Sequence, residues 1–236
     1  MSISSKIQSL ITAANTVTGE SRTDLTACVQ DLKDGYGGSS VTKGLVFSDY
    51  DSDGYPTKAE IKGFTTIPTK LMYLNSGCTM IKKIQSLTIP EGVTQIGGYA
   101  FSYWDKTEEL NLPSTLTEYA FAGGREFQGW TSLKSVTIPS GVTSVSNTTF
   151  GYCSNMKTVT FLGNTTNIGT NAFQNCSSVE LYDFSAYTGS TIPSLSSVAS
   201  LGHKSGCVIK VPQSLLSTWQ NTTNWVGLQN VTWQGV

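Results

Sequence analysis

A β-rich repeat solenoid, led in by an amino-terminal αα-hairpin and a β-hairpin and closed by a carboxy-terminal capping unit, is the fold class that the sequence predicts. Three observations predict it. An aromatic tetrapeptide recurs as "FSYW" (Phe101 to Trp104), "FQGW" (Phe127 to Trp130), "FGYC" (Phe150 to Cys153) and "FQNC" (Phe173 to Cys176), at intervals of 26, 23 and 23 residues. The apolar period switches from helical spacing to two near Gly44. The repeat is then lost from about Ser185, where the end of a stacked core has to be covered.

Residues 1–37 read as two helices. Ile3, Ile7, Leu10, Ile11 and Ala14 recur at helical spacing, as do Leu25, Cys28, Val29 and Leu32 after the break "TVTGESRTD". Thr23 or Asp24 supplies an amino-terminal cap, and the glycines of "DGYGGSS" stop the second helix. Two narrow apolar stripes bury too little by themselves, so this hairpin is expected to pack on itself in a homo-oligomer or on a partner.

Residues 38–63 read as a linker and a β-hairpin, with "GLVFSDYD" and "YPTKAEIKG" as strands joined through "SDG". The same stretch spells an EF-hand-type loop, with Asp49, Asp51 and Asp53 at positions 1, 3 and 5, Gly54 at 6 and Glu60 at 12. Such a loop needs helices on both sides, whereas strand-like runs flank this one. Pro56 would also remove the backbone donor at position 8. The hairpin is the favoured reading, calcium the alternative, and Asp49, Asp51, Asp53 and Glu60 are the metal candidates to test.

Residues 64–184 read as the solenoid. Six residues after each terminal Trp or Cys stands an apolar position, Leu110, Val136, Val159 or Tyr182, and two residues later Leu112, Ile138, Phe161 or Phe184. Proline follows in "LNLP" and "VTIP", then a second short strand in "GVTQIG", "TLTEY", "GVTSV" and "TTNIG". A less regular leading copy runs through "TTIPTKLMYL" and "CTMIKKI", with Cys78 and Ile84 in the expected columns. The three extra residues of the longer interval fall in "AFAGGREF", which places a bulged loop at Gly123 and Gly124. One such unit cannot bury its own apolar positions, but stacked copies share a continuous core. Rungs about 4.8 Å apart line up Thr88, Asn111, Thr137, Thr160 and Asp183 as an outward stripe. They also bring Cys153 within disulfide reach of Cys176. Stacked thiols are favoured there, because the same column accepts Trp104 and Trp130.

Residues 185–236 read as a cap: a strand, a proline, a short helix over Ser214 to Gln220 and a last strand. Trp219, Trp225 and Trp233 are covering residues there, with a sugar-stacking platform as their alternative.

Only 13% of the 236 residues are charged and the net charge is −1, which leaves no electrostatic basis for binding nucleic acid or an anionic membrane. No apolar run reaches the roughly 18 residues of a membrane span, and "MSISSKIQSLITAAN" lacks the pattern of a secretion signal. Five scattered cysteines without a CxxC pair argue against a disulfide framework or zinc site. His203, the single histidine, sits in the turn "SLGHKSG" without an acidic neighbour, and Asp105, Glu108 and Glu109 read as a solvated face. No nucleophile with a base, no phosphate loop and no paired catalytic carboxylates appear, so a non-enzyme is expected, with no cofactor.

The phrases "LTIPEGVTQIGGYAF" (Leu87 to Phe101), "VTIPSGVTSVSNTTFGYCSNMKTVTF" (Val136 to Phe161) and "AFQNCSSVEL" (Ala172 to Leu181) closely resemble the BspA-like leucine-rich repeats. That resemblance implies a curved leucine-rich-repeat solenoid used for binding, often in surface adhesins. The segment "LITAANTVTGESRTDLTACVQDLKDGYGG" resembles the helical lead of phage and prophage tail-associated proteins. It implies attachment to tail or particle proteins through the amino-terminal helices, with release by lysis.

The expected function is recognition of a bacterial surface glycan or protein by a tail-associated protein, with a cell-surface adhesin module as the alternative. Two surfaces are candidates. Tyr103 and Tyr152 share a column with Gly129 and Asn175, a mixture that an inward position would not accept, so these tyrosines are expected to point out. The rival surface is the stripe of Thr88, Asn111, Thr137 and Thr160.

Overall fold

A computed structural model describes residues 44–53, 55–71, 81–119 and 123–236; the two predicted helices, Cys28, Gly54 and Cys78 lie outside them. The chain opens with an antiparallel hairpin, β1 (Gly44–Tyr50) and β2 (Pro56–Lys62), in the register Tyr50 to Pro56 and Val46 to Glu60. Strands then alternate between two faces of a coil. The long face takes β4 (Ser86–Thr88), β6 (Glu109–Asn111), β8 (Ser135–Ile138), β10 (Thr158–Phe161), β12 (Leu181–Asp183), β14 (Cys207–Val211) and β15 (Val231–Gly235). The second face takes β3 (Thr66–Ile67), β5 (Gln95–Ile96), β7 (Glu118–Tyr119), β9 (Ser144–Val145), β11 (Asn167–Ile168) and β13 (Ser194–Leu195). All pairings after the hairpin are parallel, as a one-way coil requires. The molecule is therefore a β-solenoid.

Its core is a set of columns, one residue per rung. Phe101, Phe127, Phe150 and Phe173 stack face to face at ring separations of 5.7, 5.3 and 5.5 Å, within 12° of parallel. Trp104 stacks on Trp130 at 5.9 Å, and the column continues as Cys153 and Cys176, all four without exposed surface. Both cysteines are free thiols, hydrogen-bonded to the carbonyls of Phe127 and Phe150 one rung back. Burial, with the neighbouring Cys176, holds the Cys153 thiol well above its ordinary pKa. A position that takes indole or thiol alike is filling space.

The expected columns pair as the spacing predicts: Leu87 to Leu110, Val136 to Val159, Val159 to Tyr182. One expectation needs correction. The rungs do not form one unbroken ladder, because both faces break at the same junction. The long face divides into β1-β2-β4-β6 and β8-β10-β12-β14-β15, and the second into β3-β5-β7 and β9-β11-β13. This is the junction where the interval is 26 residues rather than 23. Across it, between β6 and β8, the long face keeps the bond from the Lys134 N–H to the Glu108 carbonyl, 3.2 Å. Continuity survives along the aromatic turn, where Tyr99, Phe101 and Tyr103 donate to Gly124, Glu126 and Gln128.

The extra residues sit in that turn. Gly123 and Gly124 both have positive φ, +103° and +59°, and a Cβ on Gly124 would stand 2.0 Å from the Asn147 carbonyl oxygen. Glycine is required there by approach as well as by conformation.

Beyond Phe184 the long ladder continues through β14 and β15. A 3-10 turn at Gln213–Leu215 leads into a short helix, α1 (Leu216–Gln220). Trp219 and Trp225 are wholly buried, 5.2 and 5.6 Å from Phe184, so they plug the end of the aromatic core and cannot act as a sugar platform. Trp233 is partly buried beside Trp225. Among the described residues no helix is long and apolar enough to cross a membrane.

Candidate binding surface

The calcium candidates do not converge. Asp49 pairs with Lys58 across the hairpin, which raises the Lys58 pKa, chiefly through the hydrogen bond between them. The Asp51 carboxylate accepts the N–H groups of Asp53 and Tyr55 at 3.0 and 2.9 Å, closing the turn itself. Glu60 faces Val46 further along the hairpin and stands beside Thr88 of β4. Asp49 and Asp51 thus have structural tasks in a hairpin, and Glu60 stands apart from them along the strand.

The predicted stripe exists, in two pieces. Glu60, Thr88 and Asn111 are in register on one side of the break, and Thr137, Thr160, Asp183, Lys210 and Gln234 on the other. Asn111 donates to the Thr88 hydroxyl at 3.3 Å, and Asp183 lies 3.7 Å from Lys210. Glu60, Lys210 and Gln234 extend the row beyond what the repeat alone indicates, because the hairpin and the cap continue the ladder without sharing its sequence period.

At the break the stripe becomes a groove. It encloses about 330 Å³ and is walled by Asn111, Thr137, Ser114, Ser140 and Glu91 over Leu110, Leu112, Pro139 and Leu162. Leu110 and Leu112 are only partly buried, whereas their column neighbours Leu87, Val136, Ile89 and Ile138 are at most 2% exposed. Leu162 is 50% exposed. Glu91 accepts the backbone N–H and hydroxyl of Ser114 and the N–H of Thr115, which lowers its pKa, the Ser114 N–H most, and keeps the wall rigid. On the opposite face the same junction leaves a smaller crevice of about 210 Å³ between Thr117, Glu118 and Tyr119 and Thr143 and Ser144.

The turn edge holds the other candidates. Tyr103 and Tyr152 point outward, 44% and 43% exposed. Their column, Tyr103, Gly129, Tyr152 and Asn175, has positive φ throughout, between +59° and +78°. Gly and Asn tolerate that conformation, which explains the mixture better than exposure does. The column two residues before each phenylalanine behaves likewise, with Tyr99, Arg125, Thr148 and Asn171 between +57° and +65°.

There Lys70 and Arg125 flank the Tyr99 ring at 5.9 and 5.3 Å, and Arg125 also donates to the Tyr99 hydroxyl. Sequence reasoning missed this cation–π stack. Its signal was the column itself, read at two residues before the aromatic.

The acidic face is also ordered more than expected. Glu108 pairs with Lys134, and Glu180 bridges Lys157 and Lys204 at 3.3 and 3.0 Å. His203 is half-buried and contacts the Lys204 carbonyl at 3.1 Å. Among the described residues no group of three or more metal-ligating side chains is assembled.

Six copies of the BspA type leucine rich repeat region match residues 65–195, more than half of the chain. The chain belongs to the BspA-type leucine-rich-repeat family. Among solved structures it is similar to the pneumococcal vaccine antigen PcpA, at 16% identity and TM-score 0.55, over 84% of this chain and 48% of that one. It is also similar to a leucine rich cell surface protein of Faecalibacterium prausnitzii, at 23% identity and TM-score 0.49, over 64% of this chain and 41% of that one. The chain thus spans less than half the length of either. No curated protein matches it.

Proposed function

We propose that this chain is a non-catalytic binding protein whose solenoid recognises a bacterial surface glycan or protein through the long face around the groove. The observation that carries this reading is the groove itself. Hydroxyl and amide walls over an aliphatic floor, with few free charges, suit an uncharged ligand bound at short range. Asn111 and Thr137 are the contact residues, and Thr88 and Thr160 extend the surface along the stripe.

In the same reading residues 1–37 attach the chain to a phage or prophage tail, residues 38–63 lead into the solenoid of 64–184, and residues 185–236 cap it. The likeness of "LITAANTVTGESRTDLTACVQDLKDGYGG" to tail-associated proteins supports that carrier. The alternative carrier is a bacterial cell-surface adhesin, supported by the repeat family.

Binding of the purified chain to bacterial cells and to an array of bacterial surface glycans tests the reading. Asn111→Ala combined with Thr137→Ala should weaken binding at least about tenfold, a loss of about 1.4 kcal/mol. Tyr103→Ala with Tyr152→Ala should leave it unchanged. The reverse pattern would move the site to the turn edge and reject the groove. Mass spectrometry of induced prophage particles separates the carriers, since a tail component is recovered at fixed stoichiometry.

A further inference from the structure

The last strand of the long sheet is an edge, and its backbone shows which way it faces. Val208 donates to Glu180 and Phe184 donates to Lys210, both at 2.8 Å, so Val208 and Lys210 of β14 face β12. Val236 donates to Val211 at 3.0 Å, so Val211 faces β15. Alternation along a strand then turns Thr232 and Gln234 toward β14. The N–H and C=O groups of Val231, Trp233 and Gly235 face away from it, and no strand pairs with that edge among the described residues.

Two features of this edge set it apart. Natural edge strands are blunted by charge, proline or a bulge. Here residues 211–236 contain no Asp, Glu, Lys or Arg, and β15 has no proline. As on any strand, the outward groups recur every second residue, which places Val231 and Gly235 on either side of Trp233. Val236, which directly follows the strand, is also exposed, at 52%.

We infer that β15 is a self-association edge, and that its partner is β15 of a second copy of this chain, paired antiparallel about a two-fold axis at Trp233. The pattern suits that partner because it is self-complementary. In an antiparallel pair, residues whose N–H and C=O both face the partner exchange two hydrogen bonds. Centred on Trp233, the axis pairs Trp233 with its own mate and Val231 with Gly235 of the other copy, which satisfies every outward group of the strand. Thr232 falls opposite Gln234 of the other copy, a neutral polar pair, and no like charges meet at the seam. A two-fold contact of this kind is isologous and closes at the dimer.

Sedimentation velocity on the whole 236-residue chain tests this, with Thr232→Lys/Gln234→Lys as the decisive variant. Both side chains lie on the exposed face of β15, so the variant should keep the wild-type circular dichroism and melting temperature. It should raise the dimer dissociation constant at least about tenfold, by bringing like charges together across the axis. A second variant, Thr232→Cys/Gln234→Cys, should form intermolecular disulfides on mild oxidation, because that pair falls at the closer, non-hydrogen-bonded position of the ladder. A wild-type chain that stays monomeric across the concentration range would overturn the inference. So would a dimer indifferent to the lysine variant, which would place self-association on another surface, including the amino-terminal segment.

Discussion

In the column that holds Ala100, Thr149 and Ala172, one rung carries Glu126 with no exposed surface. Its carboxylate oxygens have no hydrogen-bond partner of good geometry among the described residues, and neither has the nearby Tyr119 hydroxyl. Burial pushes the Glu126 carboxyl from 4.5 up to about 8, against smaller opposing effects of its own N–H and the Thr149 hydroxyl. A raised carboxyl pKa means that its contribution to stability is complete below the unfolded value and is lost as pH rises through the folded one. The chain should therefore become less stable between about pH 4.5 and about pH 8. Glu126→Ala, which restores the residue of two other rungs, should remove that slope and stabilise the fold by about 1–3 kcal/mol at neutral pH. Denaturant melts of both proteins across that range are the check. An unchanged slope in the variant would place the titrating group elsewhere. The repeat alignment located this column, yet a glutamate there reads as an ordinary turn residue until packing shows which way it points.

At the scale of the element, the hairpin and the repeat turn show opposite degrees of legibility. The β1–β2 hairpin was readable because turn chemistry and alternation agree, and only the metal-loop spelling competed with them. Asp49 is committed to Lys58 and Asp51 to the turn's own N–H groups, and no group of three or more metal-ligating side chains is assembled among the described residues. Asp53→Asn should accordingly leave the melting temperature equal with and without millimolar calcium, while Asp51→Asn should lower it equally in both, by weakening the turn. A calcium-dependent difference between variant and parent would reinstate the ion. The repeat turn was readable in position but not in conformation. Two positive-φ columns follow from the tight path around each phenylalanine, and only Gly129, Asn171 and Asn175 hinted at them. The cation–π stack of Lys70, Tyr99 and Arg125 rides on that conformation and could not be reached from residue types alone.

For the whole molecule, a repeat interval told the architecture because one rung's apolar positions have no meaning without the next. The interval of 26 residues was visible too, as a bulged loop. Its larger effect, a break through both sheets, was not visible, because extra residues in one turn reach the strands only through the path of the whole rung. The groove was hidden for the same reason: its floor, Leu110 and Leu112, has the sequence of buried core. Stability in such stacks is a sum of rung and nearest-neighbour terms. Native-state hydrogen exchange should resolve two blocks, β2-β4-β6 and β8-β10-β12-β14, each protected as a unit and meeting at a weakly protected Leu110 amide, the β6 N–H turned toward the break. A single cooperative block with β6 protected like β10 would reject that division.

The junction between β6 and β8 also decides how the molecule carries load. If one end of the stack is anchored and the other is pulled, tension passes from rung to rung along the axis, and the weakest coupling sets the yield point. On the long face that coupling is the Lys134 to Glu108 hydrogen bond and its side-chain ion pair, where other junctions have a paired strand. Under tension the solenoid would part there first, as a hinge held by the aromatic turn, and the groove on the long face would widen before either half unravelled.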